Sequence, residues 1–398
     1  MADTSAASGA SAARDTAIPP LRILTIHGDG IGREVVPAAV EVLRATGLPI
    51  DLASAEAGWE CFERHGTSLP DETLAAARRA DAVLFGAVGS PSRPVPGYRS
   101  PIVALRKALD LYANIRPVAD HQPSTTDHNS GSSSVVGRPS SMVDLVVVRE
   151  NTEGLYAGRE RIEDGGDTAI AERVITRRAS ERIARAAFEL ARARQSAVSS
   201  QQSAGDRGLP NADRRLPRVT VVHKANVLRE TCGLFRTTAL CVAEEYPDVA
   251  VDEQLVDSAA LLLVQRPARF DVIVTTNMFG DILSDIASYW GGGLGMASSA
   301  NLGDERALFE PVHGSAPDIA GKGVANPLAA IGCAAMLLEW CAERKAPSAG
   351  RRAELIGWAS RIRAAVRATQ AGDTRTPDLG GAATTEQVTA AVIAALRD

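Results

Sequence analysis

Five short runs of apolar, mostly β-branched residues punctuate the chain at wide intervals. They are Arg22 to Ile26, Ala80 to Gly86, Val143 to Val148, Val219 to Val222 and Phe270 to Thr275. Each has the length of a buried strand, and the segments between them carry helical periodicity, as in Glu34 to Leu43. Strands alternating with helices predict a parallel or mixed sheet covered by helices, an α/β fold. The longest apolar stretch, Ala325 to Leu338, is too short to span a bilayer and ends at Glu339, so it reads as a core helix. Two segments break the pattern, 120–141 and 195–217. Both are rich in small and polar residues without apolar periodicity, and both are expected to be surface loops or disordered insertions. Residues 1–20 are Ala- and Ser-rich without an apolar core, which predicts a disordered tail rather than a secretory signal.

Bulk properties narrow the classes. At 398 residues the chain has room for two domains. A net charge of −5 with dispersed basic residues lacks the electrostatic footprint of a nucleic-acid binder. Five cysteines, none in a CxxC pair, read as thiols of a reducing compartment. An intracellular protein, in the mitochondrial matrix or the cytoplasm, is expected.

Candidate chemistry gathers after the strand Phe270 to Thr275. Asp281 and Asp285 stand four apart, so a helix starting near Gly280 puts both carboxylates on one face. Two hard oxygen donors with no Cys or His beside them suit Mg²⁺ or Mn²⁺, although a solvated helix face carries such a pair equally well. The turn Gly28-Asp29-Gly30-Ile31-Gly32 has Arg33 where the dinucleotide fingerprint needs glycine, so a tight strand-to-helix turn explains it better than a Rossmann site. Arg106, Arg116 and Arg149 are each placed to fork a carboxylate, or to make an ordinary surface ion pair. Lys224 follows a strand, Asp257 ends the extended run from Glu253, and Tyr156 follows Gly154 in a loop.

Seven segments in order then carry a resemblance: HGDGIGREV, LRKALDLYANIRP, RENTEGLY, HKANVL, TTNMFGDILSD, FEPVHGSAPDIAGKGVANP and TPDLGG. From about residue 21 to the C-terminus, the two insertions aside, the chain resembles the isocitrate/isopropylmalate dehydrogenase family. The resemblance implies a two-domain α/β fold with a large mixed sheet flanked by helices and a non-Rossmann cofactor site. The cofactor domain would comprise about 21–112 plus 293–398, and 113–292 would bind substrate and metal and form the dimer. It also implies a Mg²⁺ or Mn²⁺ ion on Asp281 and Asp285, completed by Asp257 of a second copy. Arg106, Arg116 and Arg149 would bind substrate carboxylates, with Ser100 and Asn226 also contacting substrate. Lys224, from the second copy, would be the general base, and Tyr156 would protonate the product carbon. A homodimer with shared sites is therefore the smallest expected unit, and residues 157–180 would form an interlocking arm.

The cofactor implied is NAD. His313-Gly314-Ser315-Ala316-Pro317-Asp318-Ile319 resembles the family's adenosine loop, with Asn326 on the adenine side and Asn226 a further implied cofactor contact. Asp318 would accept from both ribose hydroxyls and repel a 2′-phosphate. For the substrate, Ile102 stands where isocitrate enzymes carry Asn, while Glu150-Asn151-Thr152-Glu153-Gly154 is the tricarboxylate version of its loop. With Arg173 to Arg182 downstream, this combination is most similar to the fungal-type homoisocitrate branch. That implies oxidative decarboxylation of homoisocitrate to 2-oxoadipate in lysine biosynthesis, with Arg99 a candidate for the distal carboxylate. Isocitrate, 3-isopropylmalate and a non-catalytic regulatory subunit are the alternatives, and regulatory subunits lose members of the Arg, Tyr and Asp set that this chain keeps.

Overall fold

The computed structural model describes residues 19–93, 95–119, 143–202 and 216–397. In chain order the first part holds β1 (Leu21–Gly28), α1 (Gly32–Ala45), β2 (Ile50–Ala55), α2 (Trp59–His65), α3 (Asp71–Arg79), β3 (Ala82–Ala87) and α4 (Pro101–Ala108). The middle holds β4 (Ala113–Ala119), β5 (Asp144–Glu150), β6 (Glu160–Glu163), β7 (Thr168–Ala171), α5 (Arg177–Gln202), β8 (Arg218–His223), α6 (Thr231–Ala243), β9 (Ala250–Leu255), α7 (Val256–Gln265), β10 (Val272–Thr275) and α8 (Asn277–Ser288). The chain closes with β11 (Ser298–Leu302), β12 (Ala307–Pro311), α9 (Leu328–Arg344), α10 (Ala349–Ala371) and α11 (Thr385–Ala395).

Ten strands form one mixed sheet in the order β2-β1-β3-β12-β11-β4-β5-β10-β8-β9. Its two wings are parallel, and the antiparallel pairings β12/β11, β11/β4 and β4/β5 join them at the centre. The most uniformly apolar runs, β3 and the centre of β5, are buried throughout because helices cover both sheet faces. On the first wing α1, α9, α10 and α11 enclose one apolar core, and a second lies on the opposite face under α4. The other wing repeats the arrangement, with α5 and α6 on one face and α7 and α8 on the other. β6 and β7 pair only with each other as an exposed hairpin.

Several boundaries differ from those read in the sequence. The metal-pair helix starts at Asn277 rather than near Gly280, because Thr276, extended, ends the strand region and supplies the N-cap position. α5 continues to Gln202, so residues 195–202, expected to open an unstructured insertion, are helical; Ala, Ser and Gln tolerate a helix that a packed apolar face has already nucleated. Asp257 does not end a strand but lies in the first turn of α7, where a carboxylate complements the helix dipole. The apolar run from Ala325 becomes helical only at Leu328, after Pro327. Residues 1–18 of the expected 1–20 tail and the insertion 120–141 lie outside the described residues, as do residues 203–215 of the second insertion. Among the described residues no helix is long and apolar enough to cross a membrane, and all five cysteines are free, only Cys241 being exposed.

Candidate active site

The site lies where the two parallel wings meet. β4 and β5 enter this seam antiparallel, with Asn114 opposite Arg149, so the Arg116 and Arg149 side chains leave the same face of the sheet. α8 crosses that face and presents Asp281 and Asp285 to them. Arg149 is 1% exposed. Its Nε and Nη2 donate to Asn277 Oδ1 at 3.1 and 2.7 Å, and its Nη1 to Asp281. Gly280 makes this possible, since a Cβ there would overlap the Cβ and Cγ of Arg149. Arg116 spans both acids, with Nη2 to Asp281 at 3.1 Å and Nη1 to Asp285 at 3.3 Å and to Ser284 at 2.7 Å.

Arg106, on the last turn of α4, donates from Nη2 to Glu310 Oε1 at 2.6 Å. Glu310 belongs to β12 and also accepts from Asn301 Nδ2 at 2.9 Å. Asn301 Oδ1 accepts from Asn114 at 3.0 Å and from Asn151 at 2.8 Å, and Asn114 Oδ1 in turn accepts from Arg116 Nε at 2.8 Å. A buried polar ladder thus runs from Arg106 to Arg116 across the antiparallel seam. Its members fix guanidinium directions, since a buried donor or acceptor without a partner is costly. Sequence reasoning missed Glu310, Asn301, Asn114, Asn277 and Ser284. The available signal was a polar residue within an otherwise buried strand or at a helix start.

Tyr156 sits on a single 3₁₀ turn, Leu155–Ala157, rather than in an open loop. Glu150 shapes the approach by accepting from the backbone N of Thr152 and Glu153 at 2.8 and 3.0 Å, and Gly154 pairs with Val174. The Tyr156 hydroxyl donates to Asp281 at 2.6 Å. Burial, then the hydrogen bond and charge of Asp281, push its pKa above the ordinary phenol value. Burial works to raise Asp281, but Arg149, Tyr156 and Arg116 outweigh it and hold the carboxyl below its usual range. Asp285 goes the other way: burial, helped by the Asp281 charge, raises it against the opposing pull of Arg116. For Arg149, burial brings the guanidinium down to about 10 against the attraction of Asp281, which still leaves it charged at neutral pH.

Arg106, Arg116, Arg149, Tyr156, Asp281 and Glu310 line a cavity of about 340 Å³ together with Ser100, Ile102, Val103, Val88, Pro311, His313 and Gly314. One wall is therefore cationic and another apolar. Ser100, just before α4, makes no capping bond with its hydroxyl. Arg99 is exposed and is not part of the lining.

Lys224, Asn226 and Asp257 do not line this cavity. Lys224 Nζ lies 2.5 Å from Asp257 Oδ1, a pairing that lowers the pKa of the Asp257 carboxyl, and Asn226 is exposed. Within one chain, then, Lys224 and Asp257 form a pair apart from the cavity.

His313 to Ile319 continues from the end of β12 over the cavity rim. Ile31 N donates to Ser315 O at 2.9 Å, and a Cβ at Gly30 (φ +53°) would overlap that same carbonyl oxygen. The Gly28 to Gly32 turn is thus a buttress for this loop. Ala316 and Ile319 anchor it on the core, while Asp318 is exposed. His313 has its pKa lowered by burial, and its Nε2 is buried without a partner, an orphan that suits a polar ligand atom. Asn326 Nδ2 donates to Asp378 at 2.9 Å near the loop's far end. For a cation, the donor set on α8 is two carboxylates one turn apart, all hard oxygen, which fits Mg²⁺ or Mn²⁺ and not a soft metal.

Arg116 and Arg149 meet the paired aspartates at the centre of a mixed sheet, and Arg106 lines the same cavity, an α/β site whose charge suits a polyanionic acid. The family model for isocitrate/isopropylmalate dehydrogenase matches residues 22–204 and 208–392. The chain belongs to the isocitrate/isopropylmalate dehydrogenase family, β-decarboxylating dehydrogenases of hydroxy acids. It is 51% identical over 379 residues to the isocitrate/homoisocitrate dehydrogenase of Thermus thermophilus, covering 94% of this chain and 98% of that one. It is 46% identical over 360 residues to the 3-isopropylmalate/3-methylmalate dehydrogenase of Methanocaldococcus jannaschii (90% and 94% covered). The solved isocitrate dehydrogenase from Methylococcus capsulatus superposes with a TM-score of 0.80 at 42% identity, over 95% of this chain and 100% of that one.

Proposed function

We propose that the chain is an NAD-dependent, Mg²⁺- or Mn²⁺-dependent dehydrogenase that converts homoisocitrate to 2-oxoadipate and CO₂. The observation that carries this reading is the convergence of Arg106, Arg116 and Arg149 with Asp281 and Tyr156 on one cavity. Glu310, Asp285, Asp281 and Asn277 occupy the guanidinium forks. An incoming polycarboxylate competes for those forks, bidentate Arg–carboxylate pairing being the stronger contact, and so frees Asp281 and Asp285. A dication held by those two aspartates would polarise the C2 oxygen and stabilise the charge that develops there. The chain's own part is orientation, charge balance and proton delivery. The raised pKa of Tyr156 keeps its hydroxyl protonated at neutral pH, ready to protonate the carbon that loses CO₂.

The cofactor would lie along His313 to Ile319, with Asp318 selecting NAD over NADP and the buried His313 Nε2 meeting a polar cofactor atom. Lys224, Asn226 and Asp257 would complete the site of a neighbouring copy, making a homodimer the active unit. Exposed apolar residues on α7 and α8 support that assembly: Leu261 and Ile282 are 55% and 52% exposed, and Tyr289 follows α8 at 61%. The exposed β6–β7 hairpin would be the interlocking arm. The two wings would close as domains, 21–112 plus 293–398 upon 113–292, excluding water before hydride transfer.

Substrate choice rests on Ile102 and the Glu150 loop. The 51% identical Thermus relative is named for isocitrate and homoisocitrate together, and a 45% identical Methanocaldococcus jannaschii relative for homoisocitrate alone, which supports the homoisocitrate reading. A second reading, 3-isopropylmalate, is favoured by the apolar wall of Val88, Ile102 and Val103. One methylene is worth only about 1–3 kcal/mol in such a pocket. The test is NADH formation with Mg²⁺, comparing kcat/KM for homoisocitrate, isocitrate and 3-isopropylmalate. Preference for homoisocitrate is expected. Preference for another acid overturns the substrate, and no turnover of any with NAD or NADP overturns the enzyme reading.

A further inference from the structure

A second cluster of unlike donors lies on the first wing and takes no part in the proposed reaction. Cys61 and His65 stand four apart on α2, so both side chains leave one face of the helix. Glu56 lies just beyond β2, and its carbonyl accepts from the Thr73 hydroxyl at 2.8 Å, which fixes the backbone from which its carboxylate projects. Donor atoms of Glu56, Cys61 and His65 all lie within 4.8 Å of one another. The Glu56 carboxylate is already 3.6 Å from His65 Nε2.

We propose that Glu56, Cys61 and His65 form a binding site for a zinc-class dication, separate from the Asp281 and Asp285 pair. One sulfur, one imidazole nitrogen and one carboxylate oxygen are the donor types of zinc sites and are too soft a set for Mg²⁺. Accessibility suits the role. Cys61 is 2% exposed and forms the floor, whereas Glu56 and His65 have side chains 57% and 52% exposed, so an ion enters from solvent. Beside the cluster is a cavity of about 350 Å³ lined by Glu56 and Cys61 with His27, Arg33, Glu60 and Arg64. It leaves room for water or a small anion on a remaining coordination position.

The competitor for Glu56 is Arg64, whose Nη1 lies 3.1 Å from Oε2. Both side chains are half exposed or more, and an ion pair of that kind is weak in water, so it yields to a dication. The thiol loses its proton to solvent as sulfur–metal bonding replaces it. The consequence is mechanical. Asp29, in the turn that buttresses the His313 to Ile319 loop, accepts from the backbone N of Trp59 and Glu60 at 2.7 and 3.0 Å, at the start of α2. An ion that staples α2 to the end of β2 therefore stiffens the support of that loop.

The experiment is a Co²⁺ titration of the full chain after treatment with EDTA, following the thiolate-to-cobalt charge-transfer absorption. A band saturating at a single ion per chain is expected. It should survive in the Asp281→Asn/Asp285→Asn double variant and vanish in Cys61→Ser. His65→Gln should weaken Co²⁺ binding by more than about tenfold, because losing a direct ligand costs at least as much as losing a group that merely orients one. Absence of the band in the parent protein overturns the site, as does its persistence in Cys61→Ser, which would assign it to the exposed Cys241. Should Cys61→Ser fail to fold, His65→Gln decides alone: unchanged affinity overturns the proposal.

Discussion

Arg149 shows how one side chain can carry several requirements at once. Its fork is shared between Asn277 and Asp281, and its stem passes over Gly280, so position and charge are fixed before any ligand arrives. A lysine in its place keeps the charge but cannot bridge the two partners, because an ammonium is a point donor on a flexible stem. Arg149→Lys is therefore expected to lower kcat/KM by about 10²–10³-fold, the usual effect of removing one preorganised donor at a reacting centre. Steady-state kinetics alongside a thermal melt separate this from unfolding, and a change of threefold or less would refute the role. Arg149 was singled out in the sequence by its place at the end of an apolar run, with an ordinary surface ion pair as the competing reading until the family resemblance gave it a role. Its partner Asn277 was not, since a polar residue at a helix start is ordinary and only the fold brings it to a residue 128 positions away.

Among elements, the strands read from the sequence were those buried on both faces. β2 alternates partly buried and exposed positions, β4 carries Asn114 and Arg116, and β6 is exposed throughout, so none offers a continuous apolar run. The same reasoning hid the ladder: Asn301 and Glu310 reach the site only because β11 and β12 turn antiparallel at the seam, and strand order follows from packing rather than from local pattern. The edge strand β9 makes a prediction of its own. Arg236, with help from His223 and against burial, holds Glu253 below its usual range. Burial works to raise Asp252, but Thr220, Arg269 and Arg218 outweigh it and hold that carboxyl low as well. On β8, burial lowers His223 below its ordinary 6.5 despite the opposing Glu253 charge. The signs agree. A depressed carboxylate contributes stability above its unfolded pKa and loses it as pH falls towards the folded value. A histidine with a depressed pKa favours the unfolded chain as pH falls below its ordinary value. Acidification should therefore loosen the β8–β9 edge first below about 6.5 and again below the ordinary carboxylate range. Hydrogen exchange read by mass spectrometry at a series of pH values checks this. Equal protection of β9 and of the central β5 down to acidic pH would contradict it.

At the scale of the whole molecule, the groups proposed for the reaction lie in two separate places on the chain. The arginines, Tyr156 and Asp281 share a cavity, while Lys224 and Asp257 pair with each other outside it. If two copies complete each other across the exposed apolar faces of α7 and α8, every site in a closed dimer takes its lysine from the opposite chain. That arrangement has an arithmetic consequence. Lys224→Met and Tyr156→Phe should each be inactive as homodimers. When both variants are expressed together, random pairing gives heterodimers in which one site carries both substitutions and the other carries neither. About a quarter of all sites are then intact, for random assortment of a twofold-symmetric pair. Activity of the mixture should recover to about that fraction of the parent value, with the parent KM, since the intact sites are unaltered. A lysine acting within its own chain gives no recovery at any ratio. Replacing Ile282 by Glu in the same background should abolish the recovery, because a charge on the apolar face of α8 opposes the association that brings the two halves together.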